Sequence, residues 1–176
     1  MGKEELIFLD ESGINLTRTR THARAPLGKR AYVPAPFHHG SHIAVIRALG
    51  VPGICAPMRI EGALTTEGFE SYVPHLLVPC LRPGHRVLRA NVKFHSAPQA
   101  LELIAAAGAQ VGHLPAYSPD FNPLEGCIAK LKPAGRSFKA RTKRKLAHAL
   151  AKALTWITQQ DIHGGFEHAG SVSSLK

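Results

Sequence analysis

Four consecutive apolar side chains, Leu6-Ile7-Phe8-Leu9, run directly into two acids, Asp10-Glu11. Neighbouring strand residues point to opposite faces, so an unbroken apolar run reads as a strand buried on both sides. Such strands belong to sheets with helices layered against them. A first strand is therefore expected over Glu5–Asp10, closed by its acids.

The rest of the chain fits that expectation. His42–Leu49 and Ile54–Ile60 read as strands joined by the turn-forming Val51-Pro52-Gly53, while residues 17–40 are polar, basic and rich in Pro and Gly, as in a loop or hairpin. Thr65 or Thr66 can cap a helix running to about Leu81, with Phe69, Val73, Leu76 and Leu77 on one face. Pro74 falls inside that pattern, where a helix interior would lose about 3 kcal/mol. Arg86–Ala90 is the next strand, Ser96-x-x-Gln99 forms a capping box for a helix ended by Gly108, and Gln110–Leu114 is another short strand. Asn122-Pro123-Leu124-Glu125 places Asn at an N-cap and Pro at the first helical position. A basic amphipathic helix is expected over Thr142–Thr158, with the pattern fading beyond Gly164. Strands first, then alternating helix and strand, describe one α/β domain with a mixed sheet flanked by helices. The domain is expected over residues 1–168, with 169–176 as a tail. A chain of 176 residues suits one such domain and is short for two.

Charge narrows the partners. Lys and Arg number 22 against 12 Asp and Glu, a net +10, and a field of that sign favours polyanions, nucleic acid above all. The cations cluster: Arg18, Arg20, Arg24, Lys29 and Arg30 in one stretch, and Lys130, Lys132, Arg136, Lys139, Arg141, Lys143, Arg144 and Lys145 in another. No apolar run approaches the roughly 20 residues that span a bilayer, so no membrane partner is expected. The first residues resemble neither a signal nor a transit peptide. Three scattered cysteines without a C-x-x-C pair fit a reducing cytoplasm.

Three positions then carry the chemistry: Asp10 at the end of the first strand, Ala90 at the end of a middle strand, and Glu125 in the first turn of a helix. FLDESG, the VLRAN…H segment and above all HLPAYSPDFNPLE…KLK resemble the catalytic domain of the mariner-related insertion-sequence transposases. These belong to the DDE superfamily, and the resemblance runs over roughly residues 5–168. It implies a ribonuclease H-like fold and metal-dependent DNA strand cleavage and transfer by three acids. Matched residue by residue, Asp10 falls on the first acid and Glu125 on the third, and both are implied ligands of Mg (or Mn). The second acid falls on Ala90, immediately before Asn91; Asn91 and His95 match supporting positions. Thirty-four residues lie between Ala90 and Glu125, the spacing of this branch of the family. The two cationic clusters are expected to contact DNA through Arg18, Arg20, Arg24, Lys130, Lys132, Arg141, Lys143 and Arg144, and the resemblance implies a homodimer. It also implies an N-terminal helix-turn-helix region, which this chain starts too late to contain.

Alanine offers no oxygen to a metal. Neighbouring Asn91 points to the opposite strand face and is a poor substitute, and Arg89 adds positive charge if it turns inward. Two ions about 3.5–4 Å apart need several converging carboxylates. Metal binding is therefore expected to be weakened and strand cleavage lost. Gly126, Ile128, Pro74 and Pro133 are further departures from the family pattern. The alternative is a non-catalytic DNA-binding remnant or regulator of transposition, which needs the charge and the fold but no acid at position 90.

Overall fold

The computed structural model describes residues 2–15, 24–32, 42–89, 97–115, 118–129 and 143–170. Its frame is a five-stranded mixed sheet of β1 (Leu6–Asn15), β2 (His42–Gly50), β3 (Gly53–Glu61), β4 (Arg86–Arg89) and β5 (Gln110–His113), in the order β3-β2-β1-β4-β5. β1 pairs antiparallel with β2 and parallel with β4; β2–β3 is antiparallel and β4–β5 parallel. The apolar run at the start of β1 is covered on both faces, as its composition demands. Ile7 and Leu9 join Ile46, Ala48 and Val87 beneath one helical layer. Leu6 and Phe8 join Leu49 and Leu88 beneath the other.

The first layer contains α1 (Thr66–Tyr72) and α2 (Pro98–Ala106), which contribute Phe69, Tyr72, Ala100 and Ile104 to the core. Thr65 caps α1, its hydroxyl accepting from the Gly68 N–H at 3.1 Å. Pro74 does not stop this segment. The chain widens after Tyr72 into a π-helical turn, Val73–Leu77, in which the Val78 N–H donates to the Val73 carbonyl, and it tightens into a 3-10 turn over Val78–Cys80. A locally wider turn is a common way for a helix to admit a residue that disrupts the regular ladder. Ser96 of the expected capping box lies outside the described residues; α2 has Ala97 at its N-cap, without a side-chain cap, and Gln99 at its second helical position. Gly108, with φ +76°, follows the helix end as expected.

The second layer is built from a helix over residues 123–129 (α3) and α5 (Gln159–His168). Leu124, Cys127 and Ile128 pack beside Ile162 and Phe166, and the Phe166 ring meets Phe8 edge to face with centroids 5.5 Å apart. The helix expected over Thr142–Thr158 stops early, and a separate helix follows it. α4 (Lys143–Leu154) ends where the Thr155 hydroxyl donates to the Lys152 carbonyl at 2.8 Å and the Trp156 N–H to that of Ala153. Thr158 then opens α5 through a reciprocal cap with Asp161. The in-phase apolar residues Leu154 and Ile157 conceal this break in the sequence, because periodicity records which face is apolar and not where hydrogen bonding restarts. The pattern also continues beyond Gly164, and the reason is packing: a Cβ at Gly165 would lie 2.9 Å from the Pro123 carbonyl oxygen. Gly165 thus lets α5 approach the first turn of α3.

Two adjacent glycines in α5 should therefore respond oppositely. Gly165→Ala forces the helices apart and is expected to destabilise the fold by about 1–3 kcal/mol. Gly164→Ala, with nothing within 4 Å of the added carbon, should be neutral or stabilising by up to about 1 kcal/mol. Urea unfolding of the two variants separates the effects.

Candidate active site

Asp10 does not close β1. The strand continues to Asn15 because β2 remains paired alongside it, with Asp10 opposite Arg47 and Asn15 opposite His42. Asp10 lies one residue past Leu9–Arg89, the last described pair with β4. Alternation puts it on the side of Leu6 and Phe8, which is the side of α3 and α5. Asn122 opens α3 as read from the sequence: its Oδ1 accepts from the Leu124 N–H at 3.1 Å, and Glu125 follows as the third helical residue, half-buried. Asp10 and Glu125 are thereby brought together, close enough that the Glu125 charge acts on the Asp10 carboxyl.

The unexpected member is Arg47, 3% exposed. Its Nη1 donates to the Ser12 hydroxyl at 2.9 Å, and its Nη2 stands 3.8 Å from Asp10 Oδ2. Its Nε and Nη2 make no hydrogen bond among the described residues. The register on its other side is broken. Ile46 pairs with Met58 and Ala48 with Cys55, so two β3 residues, Ala56 and Pro57, oppose Arg47 alone. This is a β-bulge, a device that re-aims a side chain next to a site. Ala56 has φ 51°, the one positive φ outside glycine among the described residues, a conformation that costs alanine about 1–2 kcal/mol. The sequence did contain a signal for Arg47: it is the one Lys or Arg within HIAVIRAL, and a charge in a buried strand requires a partner.

Electrostatics follow from this arrangement. Burial pushes the Asp10 carboxyl up to about 6; Arg47 opposes that shift and Glu125 adds to it, while the Glu11 backbone N–H favours the charged form. Burial also lowers Arg47 from its usual value, and the charges of Asp10 and Glu125 hold it up. Arg89 does not turn toward the acids: it is buried, and its Nη2 lies 3.1 Å from Nε2 of His113 on β5. Glu11 pairs opposite Ile46, and Asp120 lies exposed in the 3-10 turn Pro119–Phe121.

The described residues do not fit a pair of divalent ions. No group of three or more His, Cys, Asp or Glu converges among them, and a buried guanidinium accompanies the two carboxylates that do. Ala90, Asn91 and His95 lie outside the described residues, as do Arg18, Arg20, Lys130, Lys132 and Arg141. Arg24 is exposed. Lys143 begins α4, its side chain outside the described set. Arg144 is exposed on α4 together with Lys145, His148 and Lys152, opposite the buried Ala149 and Ala153. α4 contains no acidic residue. Among the described residues no helix is long and apolar enough to cross a membrane.

A sequence profile described as DDE superfamily endonuclease matches residues 5–147. No curated protein matches the chain in sequence. In three dimensions the chain resembles the Mos1 transposase paired-end complex with left transposon end, at a TM-score of 0.76 and 13% identity, over 93% of this chain and 52% of that one. It resembles the Mos1 mariner paired end complex with Mn at 0.75 and 17%, over 96% and 54%. The isolated catalytic domain of Mos1 mariner transposase superposes at 0.67 and 13%, over 96% and 80%. The chain thus spans about half the length of the transposase chains in those complexes.

The three-way coupling of Asp10, Arg47 and Glu125 has a direct readout. Carboxyl 13C titration should give Asp10 a midpoint near pH 6. Arg47→Met should raise it by removing the favourable charge, and Glu125→Gln should lower it by removing the unfavourable one. Since the folded state holds this proton more tightly than the unfolded one, stability should fall as pH rises from 3.8 to about 6. The Asp10 contribution to that fall is about 3 kcal/mol.

Proposed function

The chain belongs to the DDE superfamily endonuclease family, and on that premise we propose that it is a catalytic domain of transposase descent that binds DNA and has lost strand cleavage. Its fold is the ribonuclease H-like mixed sheet of the mariner transposase catalytic domain. Asp10 and Glu125 hold the places of the first and third acids, and Ala90 holds the place of the second. The single observation that carries the reading is that Asp10 and Glu125 come within electrostatic reach beside a buried arginine, with no third carboxylate converging on them among the described residues. Two carboxylates beside a guanidinium are a poor host for Mg or Mn, so metal binding is weakened. The Mos1 mariner paired end complex with Mn supports divalent metal as the group this site descends from. Asn91 and His95 are the supporting residues in this reading, and residues 1–168 form the catalytic unit.

DNA binding draws support from elsewhere on the chain. The net charge is +10, and the outward face of α4, a helix with no Asp or Glu of its own, carries Arg144, Lys145 and Lys152. Arg18, Arg20, Arg24, Lys130, Lys132, Arg141 and Lys143 extend the basic surface in the same reading, and a second copy of the chain is the expected protein partner. The Mos1 transposase paired-end complex with left transposon end supports DNA ends as the ligand, and target DNA belongs to the same reading.

Binding of a labelled duplex should weaken by at least about tenfold between 50 and 200 mM salt, the dependence expected when several phosphates are neutralised. Arg144→Ala combined with Lys152→Ala should reduce the affinity and flatten the salt slope. Supercoiled plasmid should remain intact in Mg2+ or Mn2+. Nicking that Asp10→Ala abolishes would overturn the loss of cleavage. Cleavage recovered in Ala90→Asp, with an end-binding domain supplied, identifies a disabled enzyme; salt-sensitive binding without recovery favours the regulator.

A further inference from the structure

The acid site already contains a cation of its own. Arg47 stands directly opposite Asp10 across the β1–β2 ladder, and only 3% of it is exposed. Its guanidinium is anchored at one nitrogen by the Ser12 hydroxyl at 2.9 Å. A second nitrogen, 3.8 Å from Asp10 Oδ2, has no hydrogen-bond acceptor of its own among the described residues, and neither has Nε. A buried guanidinium that served only packing would leave its donors unpaired at considerable cost. The bulge formed by Ala56 and Pro57 distorts β3 at the one register position facing Arg47, and an alanine takes a left-handed conformation to form it. The strand is thus shaped around this side chain.

We propose that Arg47 is the resident counter-ion of the Asp10–Glu125 pair, occupying by charge the role a divalent cation would fill and thereby excluding that cation. The inference rests on the reading of Asp10 and Glu125 as the surviving acids of the family site. Asp10 and Glu125 bring two negative charges to the pocket when ionised, and Arg47 reduces their sum to one. A divalent ion that approached Asp10 would meet half the charge and a fixed positive group as well. Arg47 is a positioning residue in this account, since it acts on the acids and touches no substrate. Its removal should convert the pair into a divalent-ion site with the two carboxylates as ligands. Position 90 and Arg47 then weaken metal binding by separate routes, one by a missing ligand and one by an added charge.

Manganese binding by the full chain without DNA, followed by the loss of the free Mn2+ electron paramagnetic resonance signal, tests this. Arg47→Ala should bind Mn2+ at least about tenfold more tightly than the wild type, a gain typical of removing one nearby like charge. Arg47→Lys retains the charge and should stay within a factor of about three of the wild type on the same electrostatic grounds. Adding Asp10→Asn to Arg47→Ala should abolish the gain. Equal or weaker affinity in Arg47→Ala overturns the proposal and leaves the acid assignment standing. A gain that survives Asp10→Asn places the ion elsewhere and removes the acid assignment too. If Arg47→Ala does not fold, the wild type still decides. Its Tm should not change in about 5 mM Mn2+, whereas a rise of several degrees that Asp10→Asn removes would mean that the acids hold the ion despite Arg47.

Discussion

A guanidinium leaves water only where acceptors or anions meet it, and Arg47 does so in the middle of the sheet. Its neighbours are arranged accordingly: the Ser12 hydroxyl at 2.9 Å, the Asp10 carboxylate at 3.8 Å, and a bulge across from it on β3. Two unit charges about 4 Å apart interact by about 4 kcal/mol at an effective dielectric near 20, so neither member can be removed cheaply. Losing Asp10 would leave a buried cation beside Ser12, and losing Arg47 would leave a buried carboxylate facing Glu125. The register of β1 against β2 is held by this pair as well as by the apolar residues on either side of it.

The second dependency is the closeness of the α3–α5 layer to the sheet. Glu125 comes within electrostatic reach of Asp10 because Asn122 and Pro123 start α3 at a defined point and because Leu124 and Cys127 share a core with Phe8 and Leu88. Gly165 permits α5 to press on the first turn of α3, and Gln159 ties the start of α5 to the Pro52 carbonyl at 2.8 Å. The acid pair therefore depends on a glycine and a glutamine in a region whose sequence pattern looks faded. Asp10 and Arg47 lie on the face beneath α3 and α5, opposite the one covered by α1 and α2.

Much of this could be read from the residues. Apolar continuity at Leu6–Leu9 demanded a strand covered on both sides, and the turn-forming Val51-Pro52-Gly53 separated β2 from β3 nearly at their ends. Asn122-Pro123 located the start of α3, and with it Glu125, because a cap is a local hydrogen-bond requirement that the sequence states openly. The misreadings have equally local causes. Asp10 looked like a strand end because polar residues follow it, yet β2 supplies pairing that sequence cannot display. Thr142–Thr158 kept one apolar phase across a real break in hydrogen bonding. Pro74 looked like a helix breaker, and a wider turn absorbed it.

Sequence by itself determined the class of the sheet and the positive charge of the chain, and its motifs singled out positions 10, 90 and 125 as candidates. These follow from composition, periodicity and short motifs, whose information lies within a few residues of one another. Tertiary structure alone decided that Asp10 and Glu125 meet, that Arg89 turns to His113 rather than to them, and that Arg47 joins the acids. Positions 10, 47 and 125 are far apart in the chain, and nothing local links their side chains. Strand register, one bulge and a helix packed through glycine bring the three charges together, and burial then makes each depend on the others.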